Sequence, residues 1–210
     1  MNIYRAYFKS FCDFCIALFL LICFMPIFIF IAFLIKIDDF AGPVFFRQKR
    51  GGMGGGFFDI LKFRSMKPKE KKDGKDFDPG DSMRVTSVGK ILRKTKLDEL
   101  PQLINVLRGE MSLVGPRPEV RRYIELYPER WEKVLSVKPG ITDPASIVYR
   151  DEEEILAAVE DPEKEYCDNL LPRKLDLYEQ YVDSISLSGD FIILVKTFLV
   201  VLTGKGSASG

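Results

Sequence analysis

With 210 residues, 47% of them apolar, and a formal net charge of +1, the chain has room for one ordinary domain with a core and a membrane element. It contains no histidine. That excludes the commonest general base and metal ligand, leaving acid–base, nucleophilic and metal roles to Asp, Glu, Lys, Tyr, Cys or Ser.

The near-neutral total hides an asymmetry. Residues 47–108 carry 16 Lys/Arg against 8 Asp/Glu, and residues 109–210 carry 12 against 19. The first block suits an anionic partner such as a phosphate, a nucleotide or lipid headgroups. A solvated basic face explains a charge run equally well. The cysteines are Cys12, Cys15, Cys23 and Cys167. Cys12 and Cys15 form a lone C-x-x-C with no second pair to complete a zinc site. No disulfide framework is implied, which fits a reducing cytoplasmic setting.

In chain order, residues 14–35 come first, an apolar run of 22 residues without a charge. As a straight helix the run reaches roughly 33 Å, enough for a hydrocarbon core of about 30 Å. It is too long, and lacks the small-residue cleavage site, for a signal peptide. Every helical face is apolar, unlike a soluble core helix. Pro26 sits just past its middle and kinks a helix. Arg5 and Lys9 before it, and Lys36, Arg47, Lys49 and Arg50 after it, make both flanks basic. The positive-inside rule is then met at both ends if the helix bends at Pro26 and returns. The expectation is a re-entrant helix hairpin rather than a simple span.

Residues 44–50 and 57–66 read as two short strands, joined by the glycine-rich 51–56. That run lacks the Lys-Ser/Thr of a P-loop and reads as a hairpin turn. Residues 67–82 are polar and read as a surface loop. A basic helix follows over 86–96, then a second helix from 97–100 to about Leu107, ended by Gly109. Residues 120–135 read as helix, 138–146 as a rigid loop, and 152–160 and 172–185 as amphipathic helices. Residues 191–202 form an apolar run too short to span, suited to packing on the domain or lying in the membrane interface.

Several residues carry possible chemistry. Asp98 and Glu99 are adjacent carboxylates at the start of a helix, behind Arg93, Lys94 and Lys96. They complement a helix dipole, or they act as a nucleophile and a site for a divalent cation, with Mg²⁺ the natural partner of hard oxygen ligands beside phosphate. Arg117, between two prolines, is either a bidentate phosphate fork or a partner for a local acid such as Glu119. Lys62 and Arg64 alternate with apolar residues on a strand and bind either phosphate or water.

Taken together, KFRSM (62–66 with Leu61 before it), RKTKLDELPQLINVLRGEMSLVGPRPE (93–119) and KPGIT (138–142) resemble the bacterial sugar transferase family, the small monotopic phosphoglycosyl transferases. The resemblance runs from about residue 5 to 202, and the segment from Arg93 to Glu119 is its most specific part. It implies transfer of a phosphosugar from a UDP-sugar to polyprenyl (undecaprenyl) phosphate, with release of UMP, as the first membrane step of surface glycan assembly. It implies Asp98 as the nucleophile that forms a covalent phosphosugar intermediate, and Glu99 as its partner with Mg²⁺. It maps substrate-binding roles onto Arg93 and Arg117, and onto Lys62 and Arg64. It also implies a re-entrant helix at the cytoplasmic face of the inner membrane. Two departures stand out: Met25 precedes Pro26 where family members have Ser, and Asp143-Pro144-Ala145-Ser146 follows KPGIT where many have Gly.

The expected fold class is therefore α+β and mostly helical: a membrane helix over 1–36, a cytoplasmic catalytic domain over 37–203 with a short β-hairpin and interface-lying helices, and a flexible tail over 204–210. A homo-oligomer is compatible with the sequence. The alternatives are a membrane-anchored binding protein, a phosphatase, and a nucleic-acid binder. The last is disfavoured because no aromatic residues interleave with the charges of 84–96.

Overall fold

The computed structural model describes residue 4 and residues 8–67 and 84–203. Most of the expected loop over 67–82, and the expected tail over 204–210, lie outside the described residues. Helices dominate, and two small sheets position the loops between them.

Helix α1 runs Lys9–Asp38, 30 residues. Among the described residues it is the one helix long and apolar enough to cross a membrane. It continues through Pro26 as one helix, so the expected pair of helices joined by a turn is not what forms. A proline removes one backbone hydrogen bond, and the turns on either side keep theirs. The helix lays one stripe on the domain. Lys9, Asp13 and Ala17 are buried in its first half, and Phe28, Ile31 and Ile35 in its second. The three- and four-residue steps keep these positions on one face. Ala17 packs with Leu103, Val106 and Leu113, whereas Phe28, Ile31 and Ile35 pack with Phe63 and Leu92. Away from this stripe, Phe11, Phe19, Ile22, Ile29, Phe30 and Phe33 are exposed.

Both ends of α1 are fastened to the same domain. Lys9 Nζ lies 2.5 Å from Asp190 Oδ2, and Ser112 Oγ donates to Asp13 Oδ2 at 2.6 Å. At the other end, Arg64 donates to Asp39 Oδ2 at 2.6 Å and to the Asp39 carbonyl at 3.0 Å. Gly42 makes room for this arginine, since a Cβ there would stand 1.4 Å from Arg64 Nη1.

Strands β1 (Phe45–Gly51) and β2 (Phe57–Phe63) form the expected antiparallel hairpin, in register from Phe45↔Phe63 to Gly51↔Phe57. Gly54 and Gly55 turn it at φ 74° and 78°, where a side chain is strained. Helix α2 spans Ser87–Thr95, with the Thr86 hydroxyl accepting from the Gly89 N–H at 2.9 Å. Lys96 then reverses the chain at φ 57°. The expected second helix divides into a 3₁₀ turn, Leu97–Glu99, and α3, Gln102–Leu107.

Past Gly109, strand β3 (Ser112–Val114) pairs in parallel with β4 (Gly140–Thr142), a pairing not anticipated from three-residue strands. The expected helix over 120–135 is two: α4, Arg121–Ile124, and α5, Pro128–Val134. Pro128 starts the second helix, where its missing N–H is no loss. Helix α6 (Pro144–Val148) lies within the expected rigid loop. Helices α7 (Glu152–Ala157) and α8 (Pro162–Glu165) and a π-turn lead to α9 (Leu171–Ser184) and α10 (Leu187–Thr203). Trp131 and Tyr178 centre the core between α5 and α9.

Asp190 is 4% exposed and accepts from Tyr4, Lys9 and Tyr181. Replacing Lys9 by Met strands this buried carboxylate without its counter-charge. The expected loss is roughly 3 kcal/mol, read as a lower unfolding midpoint in detergent, with Lys9→Met/Asp190→Asn recovering most of it.

Candidate active site

Four of the residues expected to carry chemistry meet around one carboxylate. Glu99 Oε1 accepts from Lys62 Nζ at 2.7 Å and from Arg117 Nη2 at 2.6 Å. Lys62 comes from the end of β2, Glu99 from the 3₁₀ turn after α2, and Arg117 from the loop after β3. Each is set by local backbone. Leu61, next to Lys62, donates its N–H to Asn105 Oδ1 at 3.0 Å, and Asn105 Nδ2 donates to the Asp59 carbonyl at 2.9 Å and to Glu110 at 2.7 Å. Fully buried Asn105 thus ties β2 to α3. The reversal at Lys96 turns the Asp98–Glu99 pair inward. Arg117 stands between Pro116 and Pro118, and the Pro116 carbonyl accepts the Gly140 N–H at 2.9 Å, so the β3–β4 pairing anchors it.

Asp98 is 7% exposed, and its Oδ1 is buried with no hydrogen-bond partner among the described residues. Burial pushes its pKa up, and neighbouring Glu99 adds to this, while Lys62, Lys96 and Arg117 oppose it. Glu99 behaves in the opposite way. Burial alone would raise its pKa, but Arg117 and Lys62 hold it well below the usual glutamate range. Arg117 is raised by the Glu99 charge, and Lys62 is lowered by burial, with Arg117 adding to the effect. The adjacent acids therefore differ: Glu99 is a fixed anion, and Asp98 is a buried, under-coordinated carboxylate with a free oxygen.

Arg64 lies apart from this cluster. Strand β2 ends at Phe63, so alternation no longer places Arg64 beside Lys62, and its guanidinium holds Asp39 at the end of α1. Arg93 lies in the last turn of α2, where its carbonyl accepts the Lys96 N–H at 3.2 Å, five residues before Asp98 in the chain. The local acid proposed for Arg117, Glu119, is engaged elsewhere, by Arg50 at 2.7 Å and the Tyr166 hydroxyl at 2.8 Å. Asn105 escaped the sequence reading because an interior asparagine has no motif. Its one signal is a polar residue on the apolar face of α3.

No group of three or more Cys, Asp or Glu side chains placed to hold a metal occurs among the described residues. Asp98 and Glu99 fit Mg²⁺ in another way. That ion takes one or two carboxylates and fills the rest of its shell with water and substrate phosphate, and the unpartnered Asp98 Oδ1 has the chemistry for it.

Residues 4–204 match the bacterial sugar transferase family. This chain belongs to the bacterial sugar transferase family. It is 39% identical over 187 residues to a UDP-N-acetylgalactosamine-undecaprenyl-phosphate N-acetylgalactosaminephosphotransferase of Aeromonas hydrophila, covering 88% of this chain and 41% of that protein. It is 38% identical over 198 residues to the uncharacterized sugar transferase EpsL of Bacillus subtilis, covering 94% of this chain and 89% of EpsL. It is 44% identical over 138 residues to a UDP-glucose:undecaprenyl-phosphate glucose-1-phosphate transferase of Escherichia coli, covering 64% of this chain and 30% of that protein. The chain thus spans less than half the length of the Aeromonas and Escherichia relatives and nearly all of EpsL.

The two acids should move stability in opposite directions. Glu99→Gln strands Lys62 and Arg117 and costs roughly 3 kcal/mol at neutral pH. With its folded pKa depressed, Glu99 contributes stability above the ordinary value of 4.5, lost as pH falls through the folded value. The penalty of the variant therefore shrinks on acidification below 4.5. Asp98→Asn stabilises at neutral pH by removing a buried charge. That gain fades as pH falls through the raised pKa of Asp98, because the wild type then takes up the proton itself. Denaturant midpoints from pH 3 to 8 check both signs.

Proposed function

We propose that this bacterial sugar transferase moves a phosphosugar from a UDP-sugar to polyprenyl phosphate in two steps through Asp98. The observation that carries the reading is the buried Asp98 carboxylate, with one unpartnered oxygen, beside a Glu99 held by two cations. The named activities of the Aeromonas and Escherichia relatives support the same reaction class.

In the first step an Asp98 oxygen attacks the sugar-linked phosphorus of the UDP-sugar. The bond from that phosphorus to the bridging oxygen breaks, and UMP leaves with its electron pair. In the second step a phosphate oxygen of the polyprenyl phosphate attacks the same phosphorus. The aspartyl–phosphorus bond breaks, Asp98 returns as a carboxylate, and the product is a polyprenyl diphosphate sugar. One site serves both substrates because UMP departs before the acceptor enters. Lys62 and Arg117 present positive charge where the diphosphate must sit, and Arg117 suits it bidentately. Mg²⁺, held by Asp98 and Glu99 together with substrate phosphate, would neutralise charge on the leaving UMP. Arg93 and Arg64 are proposed as outer contributors, Arg93 from the last turn of α2 before Asp98 and Arg64 by securing α1 beneath it.

The acceptor's tail stays in lipid, so the site must lie at headgroup level. A helix fastened at both ends to one domain, with an exposed apolar side, supports embedding from the cytoplasmic face rather than crossing. The apolar Leu187, Phe191, Ile192, Val195, Phe198 and Leu199 of α10 are also exposed and would rest in the same interface. The partners proposed are the UDP-sugar, polyprenyl phosphate and membrane lipids; self-association is compatible with this arrangement, and no nucleic acid is involved.

Asp98→Asn should lower UMP release by at least about 1,000-fold while leaving the fold intact; release at the wild-type rate contradicts the assignment. Asp98 attacks as the carboxylate, so the rate rises with pH through its raised pKa. Lys62 opposes that rise, so Lys62→Met should move the ascending limb to higher pH, read from initial rates of UMP release across buffers.

A further inference from the structure

Glu99 and its neighbour Asp98 are not the only acids whose charge acts on Arg117: Asp143, the residue that follows β4, acts on it too. The parallel pairing brings them together. Val114 is in register with Thr142, the Gly115 N–H donates to the Thr142 carbonyl at 3.0 Å, and the Gly140 N–H donates to Pro116 at 2.9 Å. The two backbones run so close that a Cβ on Gly140 would stand 2.1 Å from the Gly115 nitrogen. The loop after β3 therefore turns back along β4: Gly115 is bonded to Thr142, the residue before Asp143, and Pro116, the residue before Arg117, to Gly140.

Asp143 is fully buried. Its Oδ1 accepts the Ser146 N–H at 2.8 Å and caps α6 in a capping box. Its Oδ2 is buried and has no hydrogen-bond partner among the described residues. A cap requires one oxygen, and Asn or Ser supplies it as well as Asp. Capping therefore explains Oδ1 and leaves the charge and Oδ2 unexplained. Burial raises the pKa of Asp143, and the Arg117 charge acts against that, so the two side chains interact electrostatically.

The need for a second carboxylate follows from the first. Glu99 Oε1 carries both Lys62 and Arg117. Any cation that draws on Glu99, or any substrate phosphate that draws on its two cations, loosens its hold on Arg117. We propose that Asp143 is a positioning residue for Arg117: its free oxygen takes up the guanidinium on the side away from Glu99 and keeps the fork aimed at the substrate diphosphate once Glu99 is engaged. The inference rests on the transferase reading for the identity of that diphosphate.

The test is a double-mutant cycle on UDP binding in the presence of Mg²⁺, measured by calorimetry on the full chain in detergent. Asp143→Asn keeps the cap oxygen and the volume and removes the charge; Asp143→Ser is a second cap-retaining variant. Each should keep its unfolding midpoint close to wild type and bind UDP about 10-fold more weakly, the scale of one charge-assisted hydrogen bond. Arg117→Ala should weaken binding at least as much, and Asp143→Asn/Arg117→Ala should bind no more weakly than Arg117→Ala alone. A purely structural cap would give no such coupling. Binding by Asp143→Asn within about twofold of wild type, or losses that multiply in the double variant, overturns the proposal. UMP release by the same wild-type protein reports separately on the transferase reading: if the binding cycle behaves as stated and no UMP appears, that reading falls and the positioning role stands.

Discussion

The site is organised by a buried carboxylate with two cations on one oxygen. Glu99 joins β2, the turn after α2 and the loop after β3, three segments far apart in sequence. Each cation alone would be costly to bury, and so would the glutamate. Together they form a knot with one positive charge in excess, beside which the Asp98 carboxylate sits, and its geometry fixes what stands next to it. Asp98 has little freedom: its neighbour is held from two sides, its chain is reversed at Lys96, and its Oδ1 finds no partner among the described residues. In the proposed mechanism that under-coordination leaves an Asp98 oxygen available for attack, beside a residue whose charge is fully engaged.

The surrounding framework ties this knot to the long apolar helix α1. Helix α1 is clamped at Lys9 by Asp190 and next to its other end by Arg64 on Asp39. Arg64 follows Lys62 by two residues, so the chain that delivers a cation to the site from β2 delivers another to the end of α1 just past the strand. Asn105 performs the equivalent task on the opposite side by tying β2 to α3, which lies against α1. Site and apolar helix are thus parts of one packed unit, as the proposed transfer between a water-borne and a lipid-borne substrate requires.

Much of this was legible in the sequence, for physical reasons that differ by element. The hairpin was readable because glycines at positive φ separate two runs of strand formers. The Asp98–Glu99 pair and Arg117 were readable because their local backbone is dictated by neighbouring residues. What joins them was not: nothing in the spacing says that Arg117 chooses Glu99 over Glu119, since that choice depends on Arg50 and Tyr166 claiming Glu119 first. The stripe on α1 was hidden for another reason. Polarity does not distinguish buried Phe28, Ile31 and Ile35 from exposed Phe19, Ile22 and Phe30 in a helix that is apolar all round. Alternation misled at Arg64 because the strand had already ended, and β3 and β4 are too short to show a pattern at all.

The claim at the centre of this account is that Asp98 carries the phosphosugar between the two substrates. Intact-mass spectrometry tests it most directly. The full-length protein would be mixed with Mg²⁺ and each of a panel of UDP-sugars, without acceptor, and quenched within one turnover. The account predicts that at least one UDP-sugar adds the mass of its phosphosugar, on the peptide containing Asp98, and that undecaprenyl phosphate removes it. UMP release from an active UDP-sugar with no adduct at any time, or the same adduct on Asp98→Asn, would contradict it.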